Sequence, residues 1–347
     1  MEVDWNVFFP PGTRVIALPG WRNPRLYVRA ESYWWRWWGS DFYPAYRLRA
    51  RLYRRMVRAR AAGGFFRSRT AGGADHYSLA GHLENFLPGA GVLAVLVGTE
   101  GPTCKITLQL ASKDRIVGYA KYAPEGRAVA RLAREHLMLS SIPAFAGPRS
   151  LGYVRLDEGA MLVTGALDGR RVKASLPPDG QVKGFLEHLS GDSGIEVWEH
   201  PWFRAVREDA SRDMDFDRCM EVLSDRRWPV AIQHGDFAPW NLRVHRRGGL
   251  TAFDWEYGSM EGFPHLDLAY YVLQTAALIH RWSPERAARC AADCLLQAYG
   301  DRLRAVEART LVRLAAYNAY LESARDGQSE HDVLQRWRRS VWDGKTG

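Results

Sequence analysis

The stretch His234-Gly235-Asp236-Phe237-Ala238-Pro239-Trp240-Asn241, followed by Phe253-Asp254-Trp255-Glu256, constrains this chain more than any other. Val230 to Ile232 read as a buried strand stub leading into the loop. Leu242-Arg243-Val244 leaves it, Gly248-Gly249 turns the chain, and Leu250 to Phe253 returns as a second strand. Asp236, Asn241 and Asp254 therefore converge at one end of a hairpin. Phosphoryl transfer from a Mg²⁺-nucleotide needs a carboxylate to orient the acceptor hydroxyl, and oxygen ligands to hold metal against the phosphates. An H-x-D-x-x-x-x-N loop followed by an Asp at a strand end supplies both. Taken singly, an Asp is commonly a turn or cap residue and a His a hydrogen-bonding one. Order and spacing carry the reading.

The HGDxxxxN and DWE strings resemble the signature of the aminoglycoside phosphotransferase and choline kinase-like superfamily, with Gly235 where a protein kinase normally has Arg. The resemblance spans about residues 90 to 330 and is sharp from Gln233 to Leu268. It implies an α+β, two-lobed protein-kinase-like fold, with a small antiparallel-sheet N-lobe and a mainly helical C-lobe. It also implies ATP and Mg²⁺ as cofactors, Asp236 as catalytic base, Asn241 and Asp254 as metal ligands, and His234 as a loop-structuring residue. Pro264-His265-Leu266-Asp267-Leu268 is similar to the family's segment after the metal-binding Asp, where Asp267 would brace the catalytic loop. Glu256 stays open between supporting the metal and touching substrate. Trp240 and Trp255 read as loop packing.

Upstream, Val92 to Val97, Thr103 to Leu110 and Arg115 to Tyr122 read as three strands, with Gly98-Thr99-Glu100-Gly101 between the first two. Gly98 and Gly101 would let backbone amides approach phosphates, although an ordinary hairpin explains the turn almost as well. Lys121 is the candidate for the α- and β-phosphates, with Lys105 as its competitor. Ala128 to Ser140 reads as a helix whose Glu135 shares a face with Leu132 and Leu139. A charge in an inward stripe needs a partner, and Lys121 fits; an ordinary surface Glu is the alternative. Leu151 to Leu156 and Ala160 to Thr164 read as strands before a Gly165-to-Gly169 hinge. Helices are expected around Gly180–Leu189, Phe216–Ser224, Leu266–Arg281, Pro284–Tyr299 and Arg302–Ser323. Asp213, Asp215 and Asp217 imitate the opening of a calcium loop, but Arg218 stands at its required Gly and Ser224 at its closing Glu.

The first 75 residues have another character and are expected to form a basic aromatic extension, ahead of an N-lobe at 76–165 and a C-lobe at 166–347. Tyr33-Trp34-Trp35-Arg36-Trp37-Trp38 is an aromatic cluster, and Arg47 to Arg60 interleaves arginines with Leu48, Leu52, Tyr53, Met56 and Val57 at helical spacing. Such a helix can pack its apolar stripe on the N-lobe, or lie peripherally on an anionic membrane through residues 30–60. Nucleic acid is the least expected partner.

A chain of 347 residues can bury two cores, and its 46% hydrophobic content suits a globular protein. No apolar stretch approaches a transmembrane length and no secretory signal opens the chain. Cys104, Cys219, Cys290 and Cys294 are too few and too irregular for a disulfide framework or zinc site, which points to the cytoplasm. A net charge of +9 suits anionic partners such as ATP and counts against a polycationic acceptor. The expected function is ATP-dependent phosphorylation of a small-molecule hydroxyl, with a sugar or glycan intermediate favoured. A nucleotide-binding pseudokinase or membrane-associated scaffold is the alternative; the complete Asp/Asn/Asp set counts against it.

Overall fold

The computed structural model describes residues 4–42, 45–72, 78–209, 213–246 and 248–344. The chain divides into two compact units, Met1–His136 with Pro148–Leu167, and Leu137–Gly147 with Asp168–Gly347.

The first unit is built on eight strands: Arg14–Leu18 (β1), Leu26–Arg29 (β2), Ser68–Thr70 (β3), Gly91–Val97 (β4), Ile106–Ser112 (β5), Arg115–Ala123 (β6), Ser150–Leu156 (β7) and Gly159–Gly165 (β8). They form one sheet in the order β3-β1-β2-β4-β5-β6-β8-β7, with antiparallel neighbours throughout. Residues 1–75, expected as an extension, thus contribute three strands to the same sheet. The reason lies in burial on both faces. Val15, Ala17 and Tyr27 point into a core with Phe9, Val95 and Leu108, while Ile16, Leu18, Leu26 and Val28 point to the opposite core with Ala61 and Ala94. Apart from Arg14 and Arg29 at the strand ends, the residues of β1 and β2 are therefore apolar on both faces, and the polar half of the usual strand pattern is missing.

Helices Tyr33–Gly39 (α1) and Leu48–Ala62 (α2) follow β2. Ser32 caps α1, its hydroxyl accepting the Trp35 N–H at 3.1 Å. Arginines clamp the two helices together. The Arg58 guanidinium lies 3.7 Å from the Trp37 ring centroid, donates to the Trp37 carbonyl at 3.0 Å and pairs with Asp41 at 3.2 Å. Arg36 donates to the Ala62 and Ala30 carbonyls at 3.2 and 2.8 Å. The apolar stripe of α2 is not packed along its length. Ala61 and Ala62 are buried, whereas Leu52, Tyr53 and Met56 are exposed. Ser78–Phe86 (α3) and Gly126–Ser141 (α4) complete this part of the chain.

The second unit carries strands Arg170–Arg171 (β9), Ser190–Ile195 (β10), Trp228–Gln233 (β11), Leu242–Val244 (β12), Leu250–Ala252 (β13) and Ser259–Gly262 (β14). They form two small sheets, β10-β11-β14 and β13-β12-β9. Its helices are Gly180–Glu187 (α5), Pro201–Asp209 (α6), Met214–Leu223 (α7), Leu266–Gln274 (α8), Pro284–Tyr299 (α9), Ala305–Arg325 (α10) and Val333–Trp342 (α11). All nine residues of α8 are buried, against α9 and α10 among others. The helix expected as far as Arg281 changes to a π-helical segment over Thr275–His280. α6 and α11 were not anticipated. Among the described residues no helix is long and apolar enough to cross a membrane, and all four cysteines are free. The fold is α+β, with antiparallel sheet concentrated in the first unit and helix in the second.

Deleting residues 1–70 should strip β1–β3 from β4 and open both core faces, so the remaining chain should aggregate or unfold without a cooperative transition in circular dichroism. A soluble, cooperatively melting truncation would show the first strands to be dispensable.

Candidate active site

The loop after β11 is positioned by one buried carboxylate. Asp267, in the first turn of α8, accepts the His234 N–H at 2.7 Å and the Gly235 N–H at 3.0 Å, one on each oxygen. Burial pushes its carboxyl up to about 6, opposed by those two amides. Gly235 has φ 79°, and a Cβ there would lie 2.4 Å from the Tyr257 carbonyl oxygen, so the turn admits glycine alone. His234 is fully buried and links the two arms of the site. Its Nδ1 accepts the Asp236 N–H at 3.2 Å and its Nε2 lies 3.0 Å from the Phe253 carbonyl. Those two partners hold the ring as the Nε2–H tautomer. Trp255, also fully buried, packs on this imidazole at 4.6 Å, in line with its expected packing role.

Asp236 is held at both oxygens. Tyr270 donates its hydroxyl to Oδ1 at 2.7 Å and Asn241 donates Nδ2 to Oδ2 at 2.8 Å. Burial pushes the Asp236 carboxyl up to about 7. The Tyr270 and Asn241 hydrogen bonds pull it down, while the nearby negative charges of Asp254 and Glu256 push it up. Tyr270 escaped the sequence reading. Its signal was its place three residues after Asp267, which sets both on one face of α8.

Asn241 also donates Nδ2 to the Asp236 carbonyl at 2.9 Å, and its own carbonyl accepts the Phe253 N–H at 2.9 Å. With both amide hydrogens committed to Asp236, its side-chain oxygen is the atom left for a cation. Asp254 follows β13 in the left-handed conformation, φ 74° and ψ 52°, a sparsely populated region that tends to occur where function demands it. Among the described residues no group of three or more His, Cys, Asp or Glu side chains is arranged as a metal cluster. One carboxylate and one amide oxygen, beside the acidic Asp236 and Glu256, nevertheless fit Mg²⁺, which keeps waters and takes phosphate oxygens for its remaining positions.

In the first unit, Lys121 on β6 places Nζ 2.6 and 2.7 Å from the two oxygens of Glu135 on α4. The Glu135 side chain is 2% exposed and that of Lys121 16%, so the ammonium keeps a route to solvent that the carboxylate lacks. Lys105 stands just ahead of β5. Its carbonyl accepts the Gly98 N–H at 2.9 Å, and a Cβ on Gly98 would lie 2.5 Å from that oxygen. Gly98 is therefore required by the strand pairing, and its amide is already donated. Gly101 has φ 153° with open space around its Cα.

No protein-family model and no curated protein matches this chain. Several solved structures are similar to it. They include an ethanolamine kinase of Plasmodium vivax, at 12% identity over 73% of this chain and 82% of that one, with a TM-score of 0.48. A choline kinase of Streptococcus pneumoniae is 12% identical over 77% of this chain and 96% of its own, with a TM-score of 0.46. An aminoglycoside phosphotransferase of Streptomyces rimosus is 17% identical over 71% and 98%, with a TM-score of 0.44.

His265, the residue before α8, yields a test of how the Asp267 brace is supported. Burial, reinforced by the charges of Arg226 and Arg302, drives its imidazole down to about 3. The unfolded chain takes up a proton near 6.5 that the folded chain refuses, so stability is lost as pH falls below 6.5 toward 3. Relative to His265→Asn, which tolerates the residue's positive φ, the parent should lose about 2 kcal/mol between pH 7 and pH 5 in urea unfolding. Parallel pH profiles for the two proteins would remove His265 as the cause.

Proposed function

We propose that the protein is an ATP-dependent phosphotransferase acting on a hydroxyl of a small molecule. The observation that carries this reading is the doubly held Asp236, fixed by Tyr270 and Asn241 next to the left-handed Asp254. A carboxylate oriented at both oxygens presents its remaining lone pairs in a set direction, which is what an acceptor hydroxyl needs. A group raised to about 7 can take up a proton at neutral pH.

In the proposed reaction the acceptor oxygen bonds to the γ-phosphorus, the bond to the ADP oxygen breaks, and the acceptor proton passes to Asp236. Asn241 and Asp254 would hold Mg²⁺, which supplies charge neutralisation at the phosphates. Lys121, oriented by Glu135, is assigned to the α- and β-phosphates. Of the glycine turn, Gly101 alone keeps an assignment near phosphate, since the Gly98 amide serves β5. Glu256, which is buried, is assigned to the support of Asp254. Among acceptors we favour a sugar or glycan intermediate, on the aromatic and basic character of residues 1–75; separately, a net charge of +9 opposes the approach of a polycation.

A screen of hydroxyl compounds for ADP release tests the activity. With an acceptor in hand, Asp236→Asn should keep its cooperative melt and Mg²⁺-ATP binding but lose turnover by ~10²- to 10⁴-fold. Near-parental turnover would remove Asp236 as the base. Asp254→Ala should weaken Mg²⁺-dependent ATP binding, measured by calorimetry, because only the neutral Asn241 would remain as a ligand. Unchanged affinity would place the metal elsewhere.

Lys121→Met and Lys105→Met separate the two cations. ATP affinity or turnover should fall only in the first, and the opposite pattern would transfer the phosphate role to Lys105.

A further inference from the structure

Between Phe42 and Ala74 the chain has nine arginines and no acidic residue. Over the same stretch the fold leaves large apolar side chains uncovered. On α2, Leu52, Tyr53 and Met56 are 54%, 50% and 52% exposed, and Phe65 just beyond it is 74% exposed. Leu52 and Met56 are four residues apart and Tyr53 lies between them and their flank, so the three share one helical face. Exposed Arg49, Arg51 and Arg55 surround that face.

The helix is not loosely attached. Its inner side is fastened by Arg58 across Trp37, by Arg54 and Arg58 on Asp41, and by Arg36 reaching back to the Ala62 carbonyl. Two of the arginines are thus structural, while the outward ones and the three apolar side chains project from a fixed platform. Tyr33 at the start of α1 is a further exposed aromatic residue, at 61%.

We propose that the outward face of α2 docks on an anionic phospholipid bilayer. Arginines draw the helix to acidic headgroups, and Leu52, Tyr53 and Met56 enter the boundary between headgroup and acyl chain. The combination selects this occupant. A nucleic acid would satisfy the arginines through its phosphates but has no use for uncovered Leu52 and Met56. A second copy of the chain, paired about a two-fold axis, would set arginine against arginine. A bilayer of acidic lipid takes both kinds of side chain at once.

The test is flotation of the full chain with vesicles of phosphatidylcholine alone or mixed with phosphatidylglycerol. The parent should float only with the acidic vesicles, and less as salt is raised. Arg49→Glu with Arg51→Glu and Arg55→Glu should lower partitioning by at least ~100-fold. Leu52→Ser with Met56→Ser should lower it by ~10-fold while leaving the thermal melt unchanged, since both side chains are exposed. Three results would overturn the proposal. These are no binding to acidic vesicles, binding that the Leu52/Met56 variant leaves intact, and a concentration-dependent dimer that the same variant abolishes. Gel-shift of single- and double-stranded oligonucleotides, run alongside, must show weaker binding than the vesicles; the reverse order would assign the face to nucleic acid.

Discussion

Two backbone amides, those of His234 and Gly235, end on the single buried carboxylate of Asp267, and the rest of the hairpin is set by that attachment. A buried carboxylate is costly unless its oxygens are satisfied, and here each oxygen receives one amide. The cost is tolerable because α8 is buried along its whole length and holds Asp267 rigidly. From the loop, His234 carries the constraint onward, with one ring nitrogen on the Asp236 amide and the other facing the Phe253 carbonyl. The backbone preceding Asp254 is thereby tied to the backbone of Asp236. Local sequence brings the two acidic residues near each other, and this chain of buried hydrogen bonds sets their mutual geometry.

What was legible in the sequence, and what was not, follows from the range of the interactions. The hairpin from β11 to β13 could be read directly, because its turns, its short strands and its polar residues all lie within about thirty positions. The pairing of Lys121 with Glu135 could be read for the same reason: a charge on an inward helix stripe, fourteen residues from a strand lysine, has few candidate partners. Tyr270 was missed, since it meets Asp236 across thirty-four residues and its spacing from Asp267 is a faint signal on a helix with no exposed side. β1 and β2 were missed because both their faces are covered, leaving no alternation to mark them as strands. Tryptophans and arginines dominate the sequence beside them.

Those two residue types turn out to belong together. Guanidinium groups lie over indole rings at Arg29 and Trp35, Arg58 and Trp37, Arg69 and Trp21, Arg226 and Trp228, and Arg286 and Trp282, at 3.7–4.4 Å from the ring centroids. Arginine is suited to this because its planar, weakly hydrated cation can stack while its edge still donates hydrogen bonds. Part of the chain's positive charge therefore serves cohesion, and the sequence total overstates what is offered to partners. On α2 the exposed Arg49, Arg51 and Arg55 instead stand beside uncovered apolar side chains, which gives that helix its separate character.

The left-handed backbone at Asp254 has a consequence for how such a chain can change over generations. Asparagine and glycine are the residues most at ease at a positive φ, and aspartate itself tolerates it less readily. Asparagine is also a single-nucleotide step from aspartate. The substitution that relaxes the backbone therefore removes the charge of the carboxylate proposed to hold the metal. The loop would keep its attachment, because the hydrogen bonds of His234 and Asp267 do not involve the Asp254 side chain. On the proposed reading, a single base change would thus part the fold from the function.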